Sequence, residues 1–329
     1  MKKVIWGVLS TAKIGLEKVI PAMQKGLYSE ITAIASRTME SAQNAANRLA
    51  ISKAYGSYED LVNDPEIEAV YIPLPNHLHV AWAEKCMQAG KHVLLEKPIG
   101  LNYKQAQQLL QISKKYPDVK IMEAFMYRHH PQMLEVKRLI DDGVIGEIRN
   151  TYSTFAYFND NAKDIRNQSD IGGGGLLDIG CYCISIARFL FGTEPKRVSG
   201  LVEFDPLLKI DRLVSGILHF EDGFSTFMCS TQLQYQQYAR VSGTKGMIEI
   251  IKPFTPDPNE KAKIILHNGS IQKKITFEPC DKYTIQGDLF SNAILNNQDP
   301  PLPIEDGVAN MKVIEAIFLS AESGMFVNL

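Results

Sequence analysis

The stretch His92-Val-Leu-Leu-Glu-Lys-Pro-Ile-Gly100 sets a carboxylate, an ammonium and a ring-locked backbone where an apolar run stops. Burying either charge is costly unless it is paired, so the arrangement is an ion pair or a working site. Pro98 offers no N–H and biases Lys97 toward an extended backbone, which aims the ammonium out past the strand end. A lysine in a partly dry cleft lowers the pKa of a neighbouring hydroxyl and stabilises a developing alkoxide. Glu96 alternates to the other side. A second pair, Asp178 and Tyr182, is four residues apart and falls on one face of a helix, one turn apart. The glycines 172–175 just before it let backbone come close to a small molecule. A phenol titrating near pH ~10 is a poor base unless a cation favours its anion; Lys97 is such a cation. Each feature alone also fits a structural role: a strand-end ion pair, a core tyrosine, an exposed acid.

Anion-binding chemistry is concentrated at the amino end. Gly7-Val-Leu-Ser-Thr-Ala-Lys-Ile-Gly15 follows an apolar run and precedes a helical one. A dinucleotide site needs glycines at such a turn so that backbone can approach a pyrophosphate on the helix N-terminus. The spacing departs from the usual motif, with Leu9 and Ala12 at the second and third glycine positions. Gly7, Ser10, Thr11, Ala12 and Ile14 are the candidate contacts. The next strand ends Ser36-Arg37 without the acid that binds a ribose 2′-hydroxyl. A hydroxyl and a guanidinium suit a 2′-phosphate, so NADP is expected over NAD.

These residues require a particular frame. Up to about residue 125, apolar runs (4–10, 31–37, 69–74, 92–97, 120–126) alternate with helical periodicity (14–25, 39–49, 78–89, 103–115). Ser41 and Asn102 are plausible caps, and Gly90 closes its helix. This pattern predicts βαβ units and a Rossmann-type, doubly wound parallel sheet. From about residue 145 the pattern becomes successive strands of alternating polarity, with hairpin signals at Asp222-Gly223 and Asn268-Gly269, and helices at 175–191 and 309–324. The expectation is α/β plus α+β: a nucleotide-binding domain over 1–123, and over 124–329 a second domain with a large open antiparallel sheet.

Glu96-Lys97-Pro98, Pro73-Leu-Pro-Asn-His-Leu-His79, the segment Met122–Pro131 and Gly173-Gly-Gly-Leu-Leu-Asp-Ile-Gly-Cys-Tyr182 together resemble the glucose–fructose oxidoreductase / inositol dehydrogenase / MocA family. The resemblance extends over nearly the whole length. It implies that Pro75 and Asn76 line the cofactor cleft, with Pro73, Leu74, His79, Glu96, Lys97 and Arg128 as further cofactor contacts. Within the family, the chain is most similar to the dimeric dihydrodiol dehydrogenase and NADP-dependent D-xylose dehydrogenase subgroup. That likeness implies Lys97 and Tyr182 as the catalytic pair, Asp178 orienting substrate or Tyr182, and a homodimer or higher homo-oligomer. Many relatives carry histidine where Tyr182 stands. The implied reaction moves hydride between a nicotinamide and a carbinol or carbonyl carbon of a polyol, sugar or dihydrodiol. Arg166 is a further candidate contact. A reductase of another small molecule, or a non-catalytic NADP(H) sensor, are the competing readings.

The totals agree with such a protein. The 329 residues suit two domains, and a formal charge of −2 gives no electrostatic reason to expect nucleic acid or an anionic membrane. Five scattered cysteines fit a reducing compartment, so a cytoplasmic location is expected. The apolar run after Lys2-Lys3 is too short for a secretion signal, and no stretch is expected to span a membrane. His77-x-His79 and His129-His130 lack a completing ligand set, so no metal is expected. His77 is expected at the nucleotide cleft or as a helix cap.

Overall fold

A computed structural model describes residues 2–329 and divides the chain into two compact units. Among the described residues, the first unit holds a six-stranded sheet: β1 (Val4–Leu9), β2 (Ser29–Ala35), β3 (Lys53–Tyr55), β4 (Ala69–Ile72), β5 (His92–Leu95) and β6 (Ile121–Glu123). All pairs are parallel and the order is 3-2-1-4-5-6. Helices on both faces leave β4 fully buried and β5 nearly so, and this is why these strands read as continuous apolar runs. The helix Tyr103–Ser113 starts on Asn102, whose side chain accepts from Gln105 N–H. For Met39–Leu49 the cap is Thr38 rather than Ser41; Ser41 supplies the N–H that Thr38 accepts.

The two compact units are not contiguous stretches of chain. The first unit takes the chain up to Met126 and then Asp281–Val308 as well. The returning piece is a helix, Lys282–Leu295, that periodicity does not reveal. Its interior carries Thr284, Ile285 and Gly287, which are poor helix formers. Gly287 is there for packing: a Cβ would come 2.8 Å from Met23 Cγ. Trp6 Nε1 donates to Ser291, and Asp288 accepts the N–H groups of Leu27 and Tyr28.

The second unit holds nine strands among the described residues: β7 (Ile148–Phe158), β8 (Arg197–Phe204), β9 (Asp211–His219), β10 (Phe224–Ser230), β11 (Gln232–Gly243), β12 (Gly246–Ile251), β13 (Ala262–Asn268), β14 (Ile271–Phe277) and β15 (Val327–Asn328). The order is 14-13-12-11-7-10-9-8-15. The sheet is mixed rather than purely antiparallel, because β7 and β10 pair in parallel. The segment Ser169–Phe191 does have the length and hydropathy (1.4) of a membrane span, against expectation, but 83% of that window is buried inside the protein. It is the core helix on this sheet, apolar all round because it is enclosed.

Candidate active site

In the first unit the strand order reverses between β1 and β4, and such sheets take ligands at the carboxyl ends of the strands at that point. The two loops there are tied together. Ser10 sits at φ 101°, its hydroxyl donating to the Pro73 carbonyl (3.2 Å) and accepting the Ala12 N–H (3.2 Å). Gly7 also has a packing reason. It lies within β1, and a Cβ there would come 2.5 Å from Leu61 Cδ2, so the glycine admits a packing leucine. Ser10 makes the turn that glycine would ordinarily make. Ile14 leads into a π-helical turn, Gly15–Val19, a departure from regular helix frequent at functional sites.

At the end of β2, Ser36 is buried with its hydroxyl 3.4 Å from that of Thr11, and Arg37 is exposed. Arg37 is close enough to Tyr58 for its charge to oppose burial, which raises that phenol. A hydroxyl and a free-reaching guanidinium with no carboxylate at this strand end fit a nucleotide carrying a 2′-phosphate. Pro75 and Asn76 are half-buried beside this crevice. His77 is exposed and the following helix has no side-chain cap. His79 is fully buried, with its ring nitrogens on the carbonyls of Leu74 and Pro98.

Lys97 stands half-buried two residues past the end of β5, and the Lys97–Pro98 peptide is cis. Glu96 accepts the Tyr71 hydroxyl proton at 2.6 Å and the Lys97 N–H at 3.3 Å.

In the second unit the glycine run turns out to close on the protein itself. Gly172 and Gly174 have φ of 89° and 124°. A Cβ on Gly174 would lie 1.8 Å from Asp211 Oδ1, and one on Gly173 would lie 2.6 Å from the Gln168 carbonyl. Gly174 thus makes room for Asp211, and Gly173 for the Gln168 backbone. Asp211, at the start of β9, accepts the Leu176 N–H at 2.5 Å. Burial pushes its carboxyl up to about 7 against those backbone donors, and the charge of Asp178 adds to the push.

The helix itself opens as a π turn, Leu176–Gly180, before the α-helix Cys181–Phe191. The regular α-helix expected from 175 is thus wider in its first turn, and Asp178 lies in that turn. Tyr157 on β7 donates to Asp178 Oδ2 at 2.6 Å, and Arg166 Nε is 3.3 Å from the same oxygen. Burial, with the Asp178 charge, pushes the Tyr157 phenol well up, and Asp178 pushes the Arg166 guanidinium well up. Tyr157 is therefore a neutral donor and Arg166 a fixed cation. Tyr157 escapes sequence reading because it is far from Asp178 along the chain. Asp211 escapes it too, as a lone acid at a strand start. Tyr182 is buried among Tyr127, Phe155 and Phe254, with ring centroids 5.6–5.7 Å away. Arg128 donates to Ser185 (3.4 Å) and stacks over Phe189 at 4.2 Å.

Residues 4–125 match the family described as oxidoreductase, NAD-binding Rossmann fold, and residues 133–249 match the GFO/IDH/MocA C-terminal domain. The chain is 36% identical to D-xylose 1-dehydrogenase (NADP(+)) 2 of Haloferax volcanii, covering 99% of each. It is 34% identical to a trans-1,2-dihydrobenzene-1,2-diol dehydrogenase of Xenopus laevis over 74% of each. Among solved structures, a 3-ketoreductase from Actinomadura kijaniata in complex with NADP and TDP-benzene aligns with TM-score 0.90 at 28% identity, covering 97% of this chain and 98% of that one. A nucleotide crevice on a 3-2-1-4-5-6 sheet, a lysine at the end of β5 and near full-length identity of this order have one source: the chain belongs to the GFO/IDH/MocA family of oxidoreductases.

Proposed function

We propose that the protein is an NADP-dependent dehydrogenase acting on a CH–OH carbon of a sugar, polyol or dihydrodiol. The observation that carries this reading is the end of β2, where buried Ser36 and exposed Arg37 stand at a switch-point crevice without a carboxylate. NADP, when bound, supplies the hydride acceptor. Ser10, Thr11, Ala12 and the Pro73–Asn76 segment hold the nucleotide, while Ser36 and Arg37 take its 2′-phosphate.

Tyr182 removes the substrate hydroxyl proton, and the ammonium of Lys97 favours the phenolate that does so. Asp178 orients the substrate hydroxyl or Tyr182, itself held by Tyr157 and Arg166 through Oδ2. The xylose and dihydrodiol dehydrogenases among the relatives support the alcohol class, and the 3-ketoreductase supports the same chemistry run in reverse. The chain works as a homodimer through the open face of the second sheet, where Leu201, Phe204 and Ile217 are exposed. Its location is cytoplasmic, consistent with five free cysteines, of which four are buried.

Initial rates of NADP and NAD reduction, side by side over aldoses, inositols and trans-dihydrodiols, test the reading. Turnover with NADP and one of these classes is expected. Silence across the panel with NADPH binding intact would overturn the catalytic assignment and leave a nucleotide sensor.

A further inference from the structure

His79 is fully buried, and its two ring nitrogens face backbone carbonyls at equal distance. Nδ1 lies 2.7 Å from the Pro98 oxygen and Nε2 lies 2.7 Å from the Leu74 oxygen. Each carbonyl belongs to a segment of the crevice. Pro98 shares a peptide bond with Lys97, and Leu74 lies between Pro73, which Ser10 holds, and the pair Pro75-Asn76. The ring is mounted on the first residue of the helix His79–Gln88, so its position is set by a rigid element.

Burial pushes the ring down to about 4, the two carbonyls pull it up, and the charges of Lys97 and His77 add to the downward push. At neutral pH the ring is uncharged and carries one N–H. That proton serves one carbonyl while the other faces a lone pair. An apolar side chain of similar volume would leave both carbonyls without a donor, so packing alone does not account for the residue.

We propose that His79 is a positioning residue for the reaction: its ring ties the Lys97-Pro98 turn to the Leu74–Asn76 segment and so sets the lysine against the nucleotide that this segment holds. The proposal rests on reading Lys97 as the lysine whose ammonium favours the phenolate and 73–76 as cofactor contacts. The ring is enclosed by protein and acts through the two carbonyls. A substitution at 79 therefore changes two quantities together, the affinity for NADPH and the turnover at saturating cofactor. A residue of purely structural worth would lower only the melting temperature.

The test compares wild type with His79→Phe and His79→Asn, and uses His92→Phe as a control. His92 lies at the opposite end of β5, where its Nδ1 accepts the Lys120 N–H at 2.9 Å, so its loss weakens the same strand away from the crevice. NADPH affinity is read by fluorescence titration, without substrate, and kcat is read at saturating NADP. In His79→Phe the NADPH dissociation constant is expected to rise about tenfold and kcat to fall about tenfold, since the ring's one N–H bond is lost and both buried carbonyls are left without a donor. His79→Asn, whose amide still donates to one carbonyl, recovers part of both losses. His92→Phe lowers the melting temperature and leaves both within about twofold of wild type.

If His79→Phe changes neither quantity beyond the His92→Phe control, the proposal is wrong. Where His79→Phe does not fold, the smaller His79→Leu, which also lacks a donor, decides, and wild-type values for it overturn the proposal. Silence of wild type with every alcohol tried refutes the dehydrogenase reading instead, and the NADPH arm then judges His79 alone.

Discussion

Arg37 and Tyr182 carry predictions that separate cofactor choice from chemistry. An exposed guanidinium that contacts a 2′-phosphate makes a charge-assisted bond, and hydrogen bonds to charged groups contribute roughly 1.5–3 kcal/mol. Arg37→Ala is therefore expected to weaken NADPH about tenfold or more and NADH little, measured by fluorescence titration of both. Equal weakening would remove the phosphate role. Tyr182→Phe keeps the ring among Tyr127, Phe155 and Phe254 and removes only the hydroxyl. Turnover should fall by about 10²–10⁴-fold with NADPH affinity unchanged; surviving turnover would displace Tyr182 as the base. Lys97, Arg37 and Tyr182 can be proposed from the sequence because each is marked by its neighbours: a proline after a strand, a strand end without an acid, a glycine run before a helix. Tyr157 carries no such mark, and only the packing of the turn Leu176–Gly180 on β7 brings it to Asp178.

The helix that carries Asp178 and Tyr182 is anchored at its start by a buried carboxylate. Asp211 meets the glycine run so closely that no side chain fits at position 174. Gly174→Ala is accordingly expected to destabilise strongly, from both the Cβ clash and φ 124°. Asp211 also has a calculable pH signature. Its carboxyl titrates near 7 folded and near ~4 unfolded. Between those values the folded state holds a proton that the unfolded state has released, so its contribution to stability falls as pH rises. The melting temperature of wild type relative to Asp211→Asn should drop from pH 5 to pH 7.5 and level off above about pH 8. The size is on the order of a few kcal/mol. A difference independent of pH would show that Asp211 is already ionised at pH 5. The π turn at 176–180 was not legible in the sequence, because i,i+4 spacing assumes a regular helix.

At the level of the whole chain, the nucleotide unit is completed from far downstream. Asp288 holds the N–H groups of Leu27 and Tyr28, Ser291 accepts from Trp6, and Phe290 packs on Trp6 at 6.0 Å between centroids. A chain ending at Cys280 should therefore lose NADPH binding and cooperative melting of that unit, followed by fluorescence and circular dichroism. Unchanged NADPH affinity would show that residues 281–308 are dispensable to it.

The parallel sheet of the first unit was determined by the sequence itself. Strands buried on both faces must be apolar throughout, and the helices between them must repeat near every 3.6 residues, so the order of elements is written locally. The NADP preference and the lysine after β5 are equally local. Only the tertiary structure decided that Lys282–Leu295 returns to the first unit, that β7 and β10 run parallel, that Gly7 admits Leu61, and that Asp211 anchors the helix carrying Asp178. Each depends on a contact between residues distant in sequence, whose local patterns are compatible with several partners.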